Sequence, residues 1–398
     1  MLDLHEMIFR HLENELKERF RYVRSLYIFG PRQSGKTTLA RAAFPDMPYV
    51  TLEDPDIRAF AMDDPRGFLG QFIESGIIDE PQHCPDLFSY LQAEIDIKKK
   101  KYILTSSQNF LSMAKISQSL AGRISIVQLL PFSKAEIERR PLPVLHDWNP
   151  AKRPFRSLPE YLDLVCFGGY PELWKTPESQ RYWYSDYVQT FLERDIRYLM
   201  QIQDLGLFGR FLRLTAGRSG SVLNKASLAS DCGISEVHCV RWLSILEQSG
   251  IIYLLKPFYN NFNKRLIKSP KLYFNDTGLL CYLLSIKQPA QLFTHPLYGH
   301  IVETFVVSEL RKHYLNRGED PELYFWRDSH GDEIDLILVD GGDMLPIEIK
   351  ASQTLHPAML RPLEKWQVLT GTKRGIVFYG GDLYQQRTGC DVVPIDFF

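Results

Sequence analysis

The chain contains 398 residues with a formal net charge of −1, and its 44% hydrophobic and 24% charged residues are typical of an ordinary globular protein. The length predicts two or three domains of roughly 150 residues each, and nothing in the composition indicates disorder. No apolar run approaches the roughly 18 residues of a membrane-spanning helix and the N-terminus has no signal-peptide core, so we expect a soluble, cytoplasmic protein without a membrane partner.

The first predicted elements are a strand (SLYIF), a glycine-containing loop and a helix (TTLARAAF). The loop sequence GPRQSGKTT fits the Walker A pattern GxxxxGK[ST] in the strand-loop-helix setting that this pattern requires. Glycines let backbone N–H groups converge on phosphates, and the helix N-terminus adds positive potential. Lys36 is predicted to reach the β- and γ-phosphates, and the Thr37 hydroxyl to bind Mg²⁺. The predicted ATP contacts are Gly30, Pro31, Arg32, Gln33, Ser34, Gly35, Lys36, Thr37 and Thr38.

Two carboxylates end the next apolar strand, GIIDE at residues 76–80. Asp79 is predicted to hold Mg²⁺ through water, and Glu80 to orient and deprotonate the attacking water. A helix N-cap is the alternative interpretation of these acids. A further strand, KYILTSSQNF, is predicted to lie between the first two and to present Ser107 or Gln108 to the γ-phosphate, although such residues are also common in turns.

Arg123 follows in SLAGRISIVQ. Its guanidinium is predicted to stabilise transition-state charge, either in cis or from a neighbouring subunit of a homo-oligomer. A surface arginine without this role is the alternative.

A pore loop, as found in hexameric unfoldases, is also suggested by the letters of Phe68-Leu69-Gly70. The surrounding segment DDPRGFLGQFIESG instead has an Asp cap, a Pro at the first helical position and helical apolar spacing. Core positions are therefore predicted for Phe68, Leu69, Phe72 and Ile73.

Residues 141–204 follow a Pro-rich stretch and are predicted to form a helical lid or linker. Tyr182, Trp183 and Tyr187 have helical spacing in this segment. We interpret them as packing residues rather than as a base-stacking platform.

Residues 205–275 are strongly basic, with ten Lys and Arg against three Asp and Glu. A helix, a turn at Cys232-Gly233, a second helix from Ser235 and a β-rich continuation predict a helix-turn-helix followed by a wing. The predicted apolar stripe of the second helix comprises Val237, Val240, Leu243 and Leu246.

The wing carries most of the cations that we expect to contact DNA: Lys264, Arg265, Lys268 and Lys271. The second helix has few residues that could read base edges, so backbone contact with little sequence reading is predicted. An ATPase lid used for subunit contacts and a basic face without a partner are the alternatives.

The C-terminal region contains a predicted helix with Glu303 and a hairpin turning at Gly341-Gly342. Glu348 and Lys350 share one face of the second strand, and Asp335 lies on the first. This D-x12-E-x-K pattern resembles the PD-(D/E)xK nucleases, which implies that Glu303, Asp335 and Glu348 bind Mg²⁺ and that Lys350 supports the attacking water. Carboxylates about 5 Å apart repel by roughly 1 kcal/mol even in water, which favours a bound cation. A nuclease-like fold without cleavage is the alternative.

Taken together, several motifs resemble a large prokaryotic family of AAA-type ATP-binding proteins, whose C-terminal half is usually described as a domain of unknown function. The motifs are GPRQSGKTT, GIIDEPQ, LTSSQ, AGR with LLPFSKAEI, FGGYPE (167–172) and ERDIRYL (193–199), and the resemblance covers roughly residues 20–355. It implies an ATPase.

The predicted fold class is α/β, in four parts. These are a P-loop NTPase parallel-sheet domain (1–140), a helical lid or linker (141–204), a winged-helix-like domain (205–285) and an α/β restriction-endonuclease-like domain (286–398). The predicted function is hydrolysis of ATP with Mg²⁺ to gate DNA engagement, with metal-dependent DNA cleavage left open. The alternative is a non-nuclease ATPase acting on a protein partner.

Overall fold

The computed structural model describes residues 8–107, 109, 120, 122–145, 154–176, 180–191, 205–258, 268–328 and 331–398. The chain divides into two units. Unit 1 consists of Met1–Phe132, Gln248–Gly250 and Tyr314–Glu319, and unit 2 consists of Ser133–Glu247, Ile251–His313 and Asp320–Phe398. Within the described ranges, no helix has both the length and the apolar character needed to cross a membrane. The boundaries of the four predicted domains remain predictions.

A parallel sheet of five strands forms the centre of unit 1, in the order β2-β3-β4-β1-β5. The strands are β1 (Ser25–Phe29), β2 (Tyr49–Thr51), β3 (Ser75–Asp79), β4 (Lys101–Ser106) and β5 (Ile124–Gln128). The helices are α1 (Leu12–Tyr22), α2 (Lys36–Ala43), α3 (Pro55–Asp63), α4 (Pro65–Gly70) and α5 (Leu87–Asp96). The predicted α/β fold with a P-loop sheet is confirmed, including the position of β4 between the P-loop strand and the acidic strand.

Apolar cores cover both faces of this sheet. Leu26 and Ile28 of β1 pack with α1 and α2, whereas Tyr27 packs with α3, α4 and α5. Burial on both faces explains why the strands are continuous apolar runs. Because the strands are parallel, the residues that follow their carboxyl ends meet at one edge of the sheet.

The segment around Phe68-Leu69-Gly70, whose residue types match a pore loop, is part of this core. Phe68, Leu69 and Phe72 are buried, which confirms their prediction. Ile73 is 86% exposed, so its prediction as a core residue is wrong. The reason is that α4 ends at Gly70, and the helical spacing does not continue to Ile73.

A mixed sheet of nine strands belongs to the rest of the chain, in the order β13-β14-β12-β11-β10-β9-β7-β8-β6. The strands are β6 (Ser221–Val222), β7 (Ile252–Pro257), β8 (Lys271–Phe274), β9 (Glu322–Arg327), β10 (Glu333–Asp340), β11 (Asp343–Lys350), β12 (Gly375–Tyr379), β13 (Gln385–Arg387) and β14 (Cys390–Pro394). Parallel pairing of β7 with β9 joins the strands of the basic segment and of the C-terminal region in one sheet.

Eleven further helices are described in the chain after residue 133. They are α6 (Lys134–Ile137), α7 (Leu162–Phe167), α8 (Pro171–Lys175), α9 (Gln180–Phe191), α10 (Leu205–Ala216), α11 (Lys225–Cys232), α12 (Glu236–Gln248), α13 (Thr277–Leu283), α14 (Pro289–Phe293), α15 (Tyr298–Leu315) and α16 (Arg361–Thr370). Helices α11 and α12 and the intervening turn confirm the predicted helix-turn-helix order. Gly233 ends α11 in the left-handed region, with φ of 77°, and Ser235 accepts the His238 N–H at the start of α12.

The buried face of α12 differs from the predicted stripe of Val237, Val240, Leu243 and Leu246. The two leucines are buried, whereas Val237 is 77% and Val240 43% exposed, so the prediction is wrong for the valines. Trp242 replaces them because its ring packs edge-on against Phe208 and Phe211, with both centroid distances at 5.1 Å.

The aromatic residues of α9 are largely packed. Trp183 and Tyr187 are buried and stack with ring centroids 4.9 Å apart, as the packing interpretation predicts. Tyr182 is exposed, so that interpretation is wrong for this residue. The ERDIRYL motif lies outside the described residues.

The FGGYPE motif is held by Asp276, which caps α13. Its carboxylate accepts hydrogen bonds from Gly169 N (2.7 Å), the Tyr184 hydroxyl (2.9 Å) and Leu279 N (2.8 Å). A Cβ on Gly168 would lie 2.4 Å from Asp276 Oδ1, so this approach requires glycine. The motif therefore has a structural role in unit 2.

Candidate functional site

The loop between β1 and α2 has the form of an anion cradle. Gly35 precedes α2 in the left-handed region with φ of 92°, and the Lys36 ammonium donates to the carbonyl oxygens of Gly30 (3.0 Å) and Pro31 (2.8 Å). Ser34 is fully buried, and its Oγ has no hydrogen-bond partner among the described residues. An unpaired buried hydroxyl costs roughly 1–3 kcal/mol, which a phosphate oxygen would offset. The loop therefore fits a bound polyphosphate.

Asp79 is surrounded by hydroxyl groups. Its Oδ1 accepts hydrogen bonds from the Thr37 hydroxyl at 3.1 Å and from the Thr105 hydroxyl, and its Oδ2 accepts one from the Tyr49 hydroxyl at 3.2 Å. Burial and the neighbouring Asp79 raise the pKa of Tyr49 to about 12. The contact of Thr37 with Asp79 places together the two side chains that would hold Mg²⁺ beside the phosphates.

Glu80 is buried directly after β3, in a left-handed conformation that is uncommon for a non-glycine residue (φ 53°). Its carboxylate accepts hydrogen bonds from Ser107 N (3.0 Å), from Ser107 Oγ (3.2 Å) and from the Gln82 amide. Burial raises the pKa of Glu80, and the charge of Lys36 opposes that rise. A buried carboxylate with a raised pKa suits a general base.

Ser107 has different surroundings from those expected. Ser107 was expected to face the γ-phosphate, but its hydroxyl donates to Glu80 and instead positions that carboxylate. Gln108 lies outside the described residues.

Arg123 lies at the amino ends of the parallel strands, whereas the P-loop lies at their carboxyl ends. Its successor Ile124 pairs with Ser25 at the start of β1, whereas the P-loop follows the end of β1, about 16 Å away at roughly 3.3 Å per residue. Arg123 also forms an ion pair with Asp96 at 2.8 Å. The predicted role in cis is therefore wrong, and the role from a neighbouring subunit remains a prediction.

The predicted C-terminal residues lie together in unit 2. The hairpin turn at Gly341-Gly342 is confirmed, and the pairing of Leu336 with Ile347 brings Asp335 next to Glu348. Lys350 Nζ lies 2.5 Å from Glu348 Oε2 and 3.6 Å from Asp335 Oδ2. The acids of this site, which we call the carboxylate cluster, are Glu303 on α15, Glu333 and Asp335 on β10, and Glu348 on β11.

Lys271 also belongs to this site, which the sequence did not indicate. Its Nζ lies 2.9 Å from Glu303 Oε1, contacts Glu333 Oε1 and is 3.9 Å from Asp335 Oδ1. Lys271 is 2% exposed, so the prediction that it contacts DNA from the wing is wrong. Of the other three wing cations, Lys268 is exposed, and Lys264 and Arg265 lie outside the described residues.

The carboxylate cluster does not fit a metal ion in this arrangement. Within the described part of the chain, no group of three or more His, Cys, Asp or Glu residues is placed to hold one. The predicted ligand set of Glu303, Asp335 and Glu348 is therefore not assembled, because the ammonium groups of Lys271 and Lys350 lie against these carboxylates. Burial and the charge of Asp335 raise the pKa of Glu348 to about 8.

Comparison with protein families agrees with the class that the P-loop geometry defines. The family model described as an AAA domain matches residues 23–138, and two domains of unknown function, DUF8612 and DUF4143, match residues 158–290 and 298–398. The chain therefore contains an AAA domain with a P-loop. The predicted resemblance to prokaryotic AAA-type ATP-binding proteins with a C-terminal domain of unknown function is thus confirmed.

Two curated relatives are similar to most of this chain. They are uncharacterized proteins of Mycobacterium bovis and Mycobacterium tuberculosis, each 29% identical over 358 residues, which is 89% of this chain and 76% of each relative. Among solved structures, a Walker-type ATPase of Pyrococcus abyssi is 14% identical with a TM-score of 0.48, covering 71% of this chain and 97% of that chain. The Aeropyrum pernix ORC1 protein in complex with DNA is 14% identical with a TM-score of 0.29, covering 71% and 94%. These distant likenesses assign no function.

Proposed function

We propose that the chain binds and hydrolyses ATP at residues 30–38 and that its nucleotide state gates DNA engagement by the C-terminal half. The contact between Thr37 and Asp79, with the buried Glu80 next in the chain, carries the ATPase part of this proposal. It joins the helix that follows the Walker A loop to the acidic strand at one edge of the sheet.

The residues of the P-loop site have separate tasks in hydrolysis. Backbone N–H groups of the loop and the Ser34 hydroxyl would donate to phosphate oxygens, and Lys36 would exchange its carbonyl partners for the β- and γ-phosphates. Thr37 and Asp79 would hold Mg²⁺, which supplies charge neutralisation at the phosphates. Glu80 would accept the proton of the attacking water, in an orientation set by Ser107.

Two substitutions separate binding from chemistry. Lys36→Ala removes the ammonium, so we expect loss of ATP binding in a titration with a fluorescent ATP analogue. Glu80→Gln keeps shape and hydrogen-bonding capacity but not the base, so binding should persist while phosphate release slows by about 10²- to 10⁴-fold. A Glu80→Gln variant that hydrolyses ATP at the parental rate would remove Glu80 from this role.

DNA engagement is supported by the charge of residues 205–275 and by the helix-turn-helix order. Exposed cations within the described part of this segment include Arg213, Arg241 and Lys256. We expect them to contact phosphates rather than base edges. A double Arg213→Gln/Arg241→Gln variant should lower the slope of log affinity against log salt by about 0.7–0.9 for each lost contact.

A matched control for this measurement is Lys17→Gln, which removes an exposed cation from α1 in unit 1. The control should retain the parental slope. An unchanged slope in the double variant would exclude these two arginines from DNA contact.

A second candidate function, an ATPase switch acting on a protein partner, is favoured by the exposed Val237 and Val240 on α12. Exposed apolar side chains suit a protein contact better than a phosphate backbone. Capture of a protein partner that requires Lys36 and Val237 but is indifferent to Arg213 and Arg241 would favour this candidate over DNA engagement.

A further inference from the structure

We propose that the Lys271 ammonium takes the place of a divalent cation in the carboxylate cluster, so that the native chain keeps this site closed to metal. The inference concerns only the C-terminal site. It does not depend on ATP hydrolysis or on DNA engagement.

The position of the Lys271 ammonium is the first observation. Carboxylates from two elements, α15 and β10, face this one Nζ, with Glu303 Oε1 at 2.9 Å, Glu333 Oε1 in contact and Asp335 Oδ1 at 3.9 Å. Two of the acids that the nuclease-like pattern assigns to a metal therefore face a cation that belongs to the chain. Mg²⁺ needs oxygen ligands at about 2.0–2.1 Å, so it cannot share this position with the ammonium.

The backbone of Lys271 is fixed, which is the second observation. Lys271 pairs with Val222 of β6 on one side and with Leu255 of β7 on the other, so it lies within the sheet rather than in a loop. Two residues on, the Tyr273 hydroxyl donates to Glu303 Oε1 at 2.6 Å. Strand β8 therefore provides both the cation and a neutral donor for the same carboxylate.

Charge balance is the third observation. Lys271, Lys350 and Arg327 contact the cluster, with Arg327 Nη1 at 3.2 Å from Glu333 Oε2, so three cations face four carboxylates. A divalent ion added to this set would place two further positive charges beside three cations that already contact the acids. Without the Lys271 charge, a divalent ion would supply the positive charge that the acids have lost.

A ligand atom and space are already present. Glu348 Oε1 is buried and has no hydrogen-bond partner in the described part of the chain. A cavity of about 390 Å³ is lined by Lys271, Glu303, Asp335 and Glu348, among others. Removal of the lysine charge should therefore convert the cluster into a site for a divalent cation.

The test uses the full 398-residue chain in the absence of nucleotide. Mn²⁺ is the probe, and free Mn²⁺ is measured by electron paramagnetic resonance. Lys271→Met keeps most of the side-chain volume and removes the charge. We expect this variant to bind one Mn²⁺ at least tenfold more tightly than the parent. The double variant Lys271→Met/Asp335→Asn should return to parental binding, and Asp335→Asn alone should leave parental Mn²⁺ binding unchanged.

Two results would overturn the proposal. The first is Mn²⁺ binding by the parent that Asp335→Asn weakens, because the lysine would then not exclude metal. The second is a folded Lys271→Met variant, as judged by circular dichroism, that gains no Mn²⁺ affinity. If Lys271→Met does not fold, Lys271→Gln replaces it. Mn²⁺ binding by the parent is in any case compared with binding by Asp335→Asn, and weaker binding by Asp335→Asn would by itself overturn the proposal. Nucleotide titration in parallel keeps this outcome separate from failure of the ATPase proposal.

Discussion

The P-loop site and the carboxylate cluster both combine acids with lysine, but they neutralise charge differently. In the P-loop site, Asp79 accepts from three hydroxyls and Lys36 donates to two carbonyl oxygens. In the cluster, Lys271 and Lys350 form ion pairs with the acids directly. A site whose charged groups have neutral hydrogen-bond partners can exchange those partners for a charged ligand. A site whose charged groups are paired with one another has no such need of a ligand.

Loss of the Ser107 hydroxyl tests the P-loop site, in which the charged groups have neutral partners. Of the substitutions at Ser107, Glu348 and Tyr49, it should have the largest effect. Ser107→Ala removes one hydrogen bond that orients Glu80, and a misplaced base can cost up to about 100-fold in rate. We expect kcat for phosphate release to fall by about 10- to 100-fold, with little change in KM for ATP.

The matched control is Ser107→Thr, which retains a hydroxyl at the same position. It should keep most of the parental activity. Parental kcat in Ser107→Ala would show that the hydroxyl does not position the base.

The ion-paired side of the comparison predicts a dependence of stability on pH. Because burial and Asp335 raise the pKa of Glu348 from 4.5 to about 8, the native state binds more protons than the unfolded state between these values. The free energy of unfolding should therefore fall as pH rises through this window. Glu348→Gln should remove on the order of 2 kcal/mol of this fall, measured by urea unfolding at pH 5, 6.5 and 8.

An exposed carboxyl provides the control for the pH series. Glu18→Gln on α1 should leave the pH dependence as in the parent. If Glu348→Gln and the parent lose stability equally between pH 5 and 8, Glu348 is not the group responsible.

The smallest expected effect is loss of one of the three hydroxyls on Asp79. Tyr49→Phe removes the hydrogen bond to Oδ2, and the Thr37 and Thr105 hydroxyls remain. Because Tyr49 is only half-buried, the free energy of unfolding should fall by about 1 kcal/mol, measured by urea unfolding.

Tyr22→Phe is the matched control because Tyr22 is 80% exposed. It should not change stability. A Tyr49→Phe variant as stable as this control would show that the hydrogen bond to Asp79 contributes nothing measurable.

Local motifs predicted much of the architecture. The Walker A loop, the acidic strand, the helix-turn-helix order and the Gly341-Gly342 hairpin each depend on residues close together in the sequence. These elements place Lys36, Asp79 and Glu80 at one sheet edge, and Asp335, Glu348 and Lys350 at one hairpin. Short-range spacing was sufficient for these groupings.

Contacts across strand pairings were not predictable in the same way. Thr105 reaches Asp79 because β4 pairs with β3, and Lys271 reaches Glu333 and Asp335 because β8 lies in the same sheet as β10. Arg123 lies at the other end of the strands from the P-loop for the same reason, since the register of β5 with β1 decides its position. One sequence contains no direct record of such pairings.

Calorimetric titration of the folded 398-residue chain with ATP and Mg²⁺ tests nucleotide binding at the Walker A loop. We expect saturable binding at one site in the parent and its loss in Lys36→Ala. Absence of binding in the folded parent would contradict the proposed ATP site, as would undiminished binding in Lys36→Ala.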